Sequence, residues 1–363
     1  MQSSISKPMA TPTVSTDDDQ AGLAGLMHAP WACAIESFFN MQSIYAAHKR
    51  SPKMDIEAFE KRTGFSLATP RADYQNDRGV AVIAFDGLLA PKANLLTRVC
   101  GATSAQWVTG QIKAALVDPQ VKAIVLAIDS PGGTVHGTPE LAQVVFDAAR
   151  KKPVVAYSDG MLLSAAYWVG SAANAVYISG PTVQVGSIGV VATHRHDPAS
   201  SLGITEIVAG RYKRIATSLA PLSADGAAYM QDQVNHIYGV FVNAVAAYRG
   251  ATPEVVNQSM AEGQTFIGQQ SIDAGLVDAI MPLGALVTAM ASNPAAFANR
   301  RRVMAHRVHQ PGGSAAIPTH ANPARSVAPR VLTKTEQAAA AVAYAQATQL
   351  TIVQALKTLG YAT

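Results

Sequence analysis

A serine stands where an apolar run gives way to small residues, in Asp159-Gly160-Met161-Leu162-Leu163-Ser164-Ala165-Ala166-Tyr167-Trp168. A hydroxyl at the start of a helix faces the positive end of the backbone dipole, which stabilises negative charge nearby. Ala165 and Ala166 leave room for a carbonyl to approach. Serine becomes a nucleophile only when a base takes its proton. Two bases follow in the chain: His194, within Thr193-His194-Arg195-His196-Asp197, and Lys213, within Ala209-Gly210-Arg211-Tyr212-Lys213-Arg214. Lysine can serve only if burial or nearby positive charge brings its pKa towards neutrality, and Arg211 and Arg214 flank Lys213 in sequence. The residues by themselves leave both bases open. The plainer reading of Ser164 is a hydroxyl satisfied by a backbone carbonyl inside a packed helix.

A second group of residues suits the other half of such chemistry. Asp129-Ser130-Pro131-Gly132-Gly133 follows the apolar run Ala123–Ile128. Paired glycines let bare backbone N–H groups approach a ligand oxygen, as an oxyanion hole requires. The alternative is an ordinary strand-to-helix turn. Asp86, Asp129 and Asp159 all close apolar runs, where acids cap turns; Asp129 is the one best placed to shape a site. His194 and His196 share a face if extended, but no carboxylate or cysteine cluster joins them at metal-ligand spacing. A surface loop is the simpler reading, and no cofactor is implied.

The elements that must position these residues alternate. Val80–Phe85, Ala123–Ile128, Val154–Tyr157 and Val176–Ile178 read as buried strands. Helices are expected from Ser104, as N-cap, through Leu116, from Pro139 to Arg150, and over Leu162–Ala173. Such alternation predicts an α/β fold around a mostly parallel sheet. Met230, Val234, Ile237, Tyr238, Phe241 and Val245 recur at helical steps, and Gly250 ends that long amphipathic helix. Helical patterning also runs from about 26 to 65, where Ile35, Phe38, Phe39, Met41 and Ile44 could share a face. No internal repeat is visible in the sequence.

Composition narrows the class. Of the 363 residues, 49% are hydrophobic and 14% charged, as in a globular chain. The net charge of +4 is partly local to Arg300, Arg301, Arg302 and Arg307, so nucleic acid is not an expected partner. Cys33 and Cys100 stand far apart without a metal-binding spacing, which fits a reducing compartment. Residues 1–20 lack a basic and apolar signal-peptide pattern, and 21–35 is too short to span a bilayer. A cytoplasmic location and no membrane span are expected.

Taken in order, Ile128-Asp129-Ser130-Pro131-Gly132-Gly133, the segment around Ser164 and Val185-Gly186-Ser187-Ile188-Gly189-Val190 resemble the signal peptide peptidase A family, and within it the phage capsid assembly proteases. Gly210-Arg211-Tyr212-Lys213 resembles the segment that carries that family's lysine. Gly263-Gln264-Thr265-Phe266-Ile267-Gly268 and Ala274-Gly275-Leu276-Val277-Asp278 resemble its closing motif. The resemblance covers about residues 79–285. It implies a ClpP/crotonase-like core, a Ser164–Lys213 dyad that leaves His194 only as the alternative base raised by residue chemistry, and oxyanion N–H groups from Gly132 or Gly133. It also implies a ring or stacked homo-oligomer with sites completed between subunits, and protein substrates such as scaffold, portal or capsid proteins in the host cytoplasm or an assembling prohead. The chain departs from the pattern at Met161-Leu162-Leu163, whose bulk is expected to reshape the adjoining pocket, and at Arg214, where the family often has an acid. Two other functions stay in view: an assembly protein that keeps the fold with weak catalysis, and an acyl-CoA enzyme, which would have no use for a Ser164–Lys213 pair.

The expected organisation is a leader over 1–25, a helical extension over 26–78, a peptidase domain over 79–292, a Pro- and Arg-containing linker over 293–333 and an Ala/Gln-rich helical tail over 334–363.

Overall fold

A computed structural model of the chain describes residues 31–33, 73–92, 102–196 and 205–298. The leader, the helical face at Ile35–Ile44, the arginine cluster, most of the linker and the tail helix lie outside the described residues. The first elements are Trp31–Cys33 (β1), Gln75–Asp77 (β2), Val80–Asp86 (β3), Leu89–Ala90 (β4), Thr103–Ser104 (β5), Ala105–Val117 (α1), Ala123–Asp129 (β6), Gly132–Thr134 (β7) and Thr138–Ala148 (α2). Then come Val154–Ser158 (β8), Met161–Leu163 (β9), Ala165–Ser171 (α3), Ala175–Ile178 (β10) and Gln184–Gly186 (β11). The last are Ala224–Arg249 (α4), Pro253–Ser259 (α5), Thr265–Ile267 (β12), Gln269–Asp273 (α6), Ala279–Ile280 (β13), Leu283–Ser292 (α7) and Ala295–Ala298 (α8).

Six strands form the main sheet in the order β13-β10-β8-β6-β3-β2, parallel except for β2 against β3. Its central strands are continuous apolar runs because both faces are covered. Alternate residues face opposite ways. Ile83, Phe85, Ile124, Leu126, Ala156 and Val176 enter the larger core with α1, α2, α3 and α4. Val80, Val125, Val155, Tyr157 and Tyr177 enter a smaller core closed by Leu286, Val287 and Met290 of α7 and by Phe297 of α8. Packing thus continues to Phe297, beyond the 292 boundary read from the sequence.

Three times the chain leaves the main sheet by a short strand and returns through a helix: β3 to β4 and α1, β6 to β7 and α2, β8 to β9 and α3. The short strands build two smaller sheets, β1-β7-β4-β5 and β12-β11-β9. Thus the chain repeats a unit that its sequence does not display. The repeat gathers the carboxyl ends of β6 and β8 on one side, with the two site segments immediately after them.

Two sequence expectations need correction. Met161–Leu163 is a strand, not the first turn of a helix. It pairs in parallel with β11, Leu162 opposite Val185, and that tertiary pairing overrides local helical preference. Within 26–78, both described elements, β1 and β2, are strands rather than helix. β1 gains its partners from β7 and Val191, far along the chain, and this tertiary pairing sets its conformation.

The helices end as their sequences dictate. Ser104 Oγ accepts from the Trp107 N–H at 3.3 Å to start α1, and Ser223 Oγ accepts from the Gly226 N–H at 3.0 Å to start α4. Gly250 closes α4 in the left-handed region at φ 66°. Just before it, Arg249 is buried and pairs with Asp278 at 3.0 Å, while its Nη2 donates to the Gly275 carbonyl at 2.9 Å. Asp278 also accepts the Val176 N–H at 2.7 Å. The Ala274–Asp278 motif therefore ties α4 to β10. Trp168 of α3 stacks on Phe241 of α4 at 4.3 Å, fixing the helix that follows Ser164.

Candidate active site

Ser164 sits between β9 and α3 with φ 53° and ψ −118°, a backbone region that a side chain enters only at a cost of about 1–3 kcal/mol. The surroundings hold it there. Its N–H donates to the Gly186 carbonyl at 2.8 Å, and its carbonyl accepts the Trp168 N–H at 2.9 Å as the first turn of α3. The strain is what a sharp strand-to-helix turn needs to present a nucleophile. Ser164 is buried, and among the described residues its Oγ donates to the Gly189 carbonyl at 3.4 Å.

The Asp129–Gly133 turn is fastened alongside. Asp129 accepts the Met161 N–H at 2.9 Å, the Ser130 N–H donates to the Met161 carbonyl at 2.7 Å, and the Leu163 N–H donates to the Ser130 carbonyl at 3.1 Å. A Cβ at Gly160 would displace the Asp129 carboxylate from the Met161 N–H that it accepts. Gly132, at φ 107°, comes so close to Ser164 that a Cβ on it would stand 3.0 Å from the serine Cβ. The turn and the serine are thus adjacent in space. The Gly132 N–H is donated at 3.2 Å to Ser130 Oγ, and Gly133 lies in β7 opposite Ala32 of β1.

The two candidate bases share one cleft. Lys213 is exposed on a turn whose backbone bond runs from its N–H to the Gly210 carbonyl at 3.1 Å. His194 is half-buried, with Nε2 at 2.7 Å from the Thr217 carbonyl. Both line a cleft of about 430 Å³ with Tyr212, Arg214 and Tyr229, and Ser164 is not in its wall. So Ser164 stands beside Gly132, while Lys213 and His194 share a cleft whose wall does not include Ser164. Arg211 faces Asp225 at 3.4 Å, and Arg214 pairs with Glu206 and donates to Thr217 Oγ1 at 2.6 Å.

Other expectations shift. Leu162 and Leu163 are buried in the core, Leu162 against Gly170, so their bulk supports α3 rather than filling a pocket. β11 stops at Gly186, since Ser187 turns to φ 51° while its N–H donates to the Gln264 carbonyl at 2.6 Å. Sequence reasoning missed Trp31–Cys33 altogether. The only local signal was Pro30 before an apolar triplet.

Among the described residues no group of three His, Cys, Asp or Glu is arranged to hold a metal ion, and no helix is long and apolar enough to cross a membrane.

Residues 147–296, which include Ser164, His194 and Lys213 but not Gly132 and Gly133, match Peptidase family S49. The chain is similar to the Capsid assembly protease C of Escherichia phage lambda, 30% identical over 60% of this chain and 50% of that protein. It is similar to the Head-tail preconnector protein GP5 of Enterobacteria phage P21, 29% identical over 61% of this chain and 45% of the relative. It is also similar to Protease 4 of Salmonella typhi, 33% identical over 60% of this chain and 34% of that protein. The chain spans about half the length of its phage relatives and a third of the last. The strained serine is thus seated in the region, residues 147–296, that matches Peptidase family S49.

Proposed function

We propose that the chain is a serine endopeptidase in which Ser164 is the nucleophile and Lys213 of a neighbouring copy is the general base. The observation that carries the first half is the strained backbone of Ser164 at a strand-to-helix turn beside Gly132. The second half is supported by the exposure of Lys213 and by its place in a cleft whose wall does not include Ser164. A base displayed on the surface of one copy can complete a site on another. The threefold repeat of strand, short strand and helix supports the ClpP/crotonase-like reading of the core.

In this mechanism Ser164 Oγ adds to the scissile carbonyl carbon as a neutral Lys213 amine takes its proton. Backbone N–H groups at Gly132–Gly133 bind the developing oxyanion, which requires Gly132 to release Ser130 Oγ. The C–N bond then breaks and Lys213 returns the proton to the leaving amine. Water, deprotonated by the same lysine, cleaves the acyl ester and frees Ser164. The phage relatives support capsid, scaffold or portal proteins as substrates during head assembly in the host cytoplasm.

Casein hydrolysis by the full chain tests the assignment. Ser164→Ala lowers the rate by about 10⁴-fold or more. Lys213→Met lowers it by about 10²–10⁴-fold, and His194→Ala leaves it near wild type. Loss with His194→Ala and retention with Lys213→Met would reverse the choice of base. Unchanged hydrolysis by Ser164→Ala would remove the serine from the chemistry and favour an assembly protein with weak or no catalysis, a reading that the bond from Ser164 Oγ to Gly189 otherwise supports.

A further inference from the structure

We propose that Trp31–Cys33 is a resident competitor: a strand of the chain's own N-terminal region that fills the groove for an extended peptide substrate and must leave before one binds. The inference rests on the serine-peptidase reading and adds how access to that site is controlled.

The groove has two backbone walls. One is β7, against which β1 runs antiparallel, with Trp31 opposite Thr134, Ala32 opposite Gly133 and Cys33 opposite Gly132. The other is Val191, whose N–H donates to the Trp31 carbonyl at 2.8 Å and whose carbonyl accepts the Trp31 N–H at 2.9 Å. Both walls belong to the nucleophile's surroundings. Gly132 adjoins Ser164, and a Cβ built on it would lie 3.0 Å from the serine Cβ and 2.8 Å from Cys33 Cα. Val191 stands two residues beyond Gly189, the acceptor of the Ser164 hydroxyl.

A strand pinned on both edges beside a serine nucleophile has the form of a bound peptide, which gains affinity from main-chain bonds and specificity from alternate side chains. The occupant's side chains suit such a groove. Ala32 is small where it faces Gly133, and Trp31 is a large anchor, 1% exposed. Gly132 and Gly133 leave no room for anything but backbone, since a Cβ on Gly132 would meet the Ala32 carbonyl at 2.2 Å. Any peptide that paired with β7 in this register would occupy the space of Trp31–Cys33. The two are mutually exclusive, and the substrate class is an extended peptide with a small residue opposite the glycine pair.

Cys33 reports the strand's position. Docked, it is buried, and burial pushes its thiol up to about 12, so alkylation requires the strand to leave. With Cys100→Ser in the full chain, Cys33 is the sole cysteine. Adding Ser164→Ala keeps the readout independent of catalysis. A synthetic peptide of residues 28–37 carrying Ala for Cys33 is then titrated while iodoacetamide labelling of Cys33 is followed. The proposal expects labelling to accelerate and saturate with peptide concentration; a rate indifferent to peptide overturns it. Ala32→Pro removes an N–H that, by strand alternation, faces β7. It is expected to raise both Cys33 labelling and casein hydrolysis about tenfold, the scale of one lost backbone bond. Faster labelling with equal or lower hydrolysis would make β1 a supporting strand and overturn the competitor role. If Ala32→Pro does not fold, the peptide titration decides alone. Should labelling respond to peptide while wild type hydrolyses nothing, the peptidase reading fails and the groove's occupancy stands.

Discussion

Ser164 is held from several directions: by the Gly186 carbonyl at its N–H, by α3 at its carbonyl, by Gly132 beside its side chain and by the Trp168–Phe241 stack behind its helix. Lys213 stands exposed on a turn closed by its N–H bond to the Gly210 carbonyl, its side chain in the wall of an open cleft. A nucleophile must be fixed to within a fraction of an ångström before substrate arrives, so the fold invests strain and packing there. A base supplied to another copy must be displayed instead. The contrast teaches that the two halves of the proposed dyad are built for different tasks, one for rigidity and one for reach.

The largest test of that contrast is structural. Arg249→Met strips the partner from the buried Asp278 and frees the anchor between α4 and β10. It is expected to destabilise the fold by about 3–5 kcal/mol, measured by urea unfolding; a loss below about 1 kcal/mol would mean that the serine region is less tightly determined than argued. Gly160→Ala comes next, since its Cβ would strike Asp129 Oδ1. A loss of about 1–3 kcal/mol is expected, the range for overpacking a well-filled site. Ser164→Gly should act in the opposite sense. Relief of a φ of 53° raises stability by about 1 kcal/mol while abolishing hydrolysis. Lys213→Met should change stability by less than about 0.5 kcal/mol, as at an unengaged surface position.

Legibility followed how local each signal was. Ser104 and Gly250 could be read as helix ends because caps act within a few residues. The long strands of the main sheet were legible because burial on both faces leaves unbroken apolar runs. Met161–Leu163 was misread as helix because its strand state depends on Ser130 and Val185, remote in sequence. Trp31–Cys33 depends on β7 and Val191 in the same way. For the site, residue types and order singled out Ser164 and the glycine pair. No sequence feature could tell that Gly132 donates to Ser130 Oγ or that Lys213 faces outward, since both follow from three-dimensional packing.

The central claim is that Ser164 of one copy works with Lys213 of another. Co-expressing Ser164→Ala and Lys213→Met chains in equal amounts and measuring casein hydrolysis addresses it directly. Each variant alone is inactive, but random co-assembly places an intact serine beside an intact neighbouring lysine in about a quarter of sites. The account predicts recovery of about that fraction of wild-type activity. A co-assembled mixture as inactive as either variant alone, with wild type active, would contradict it.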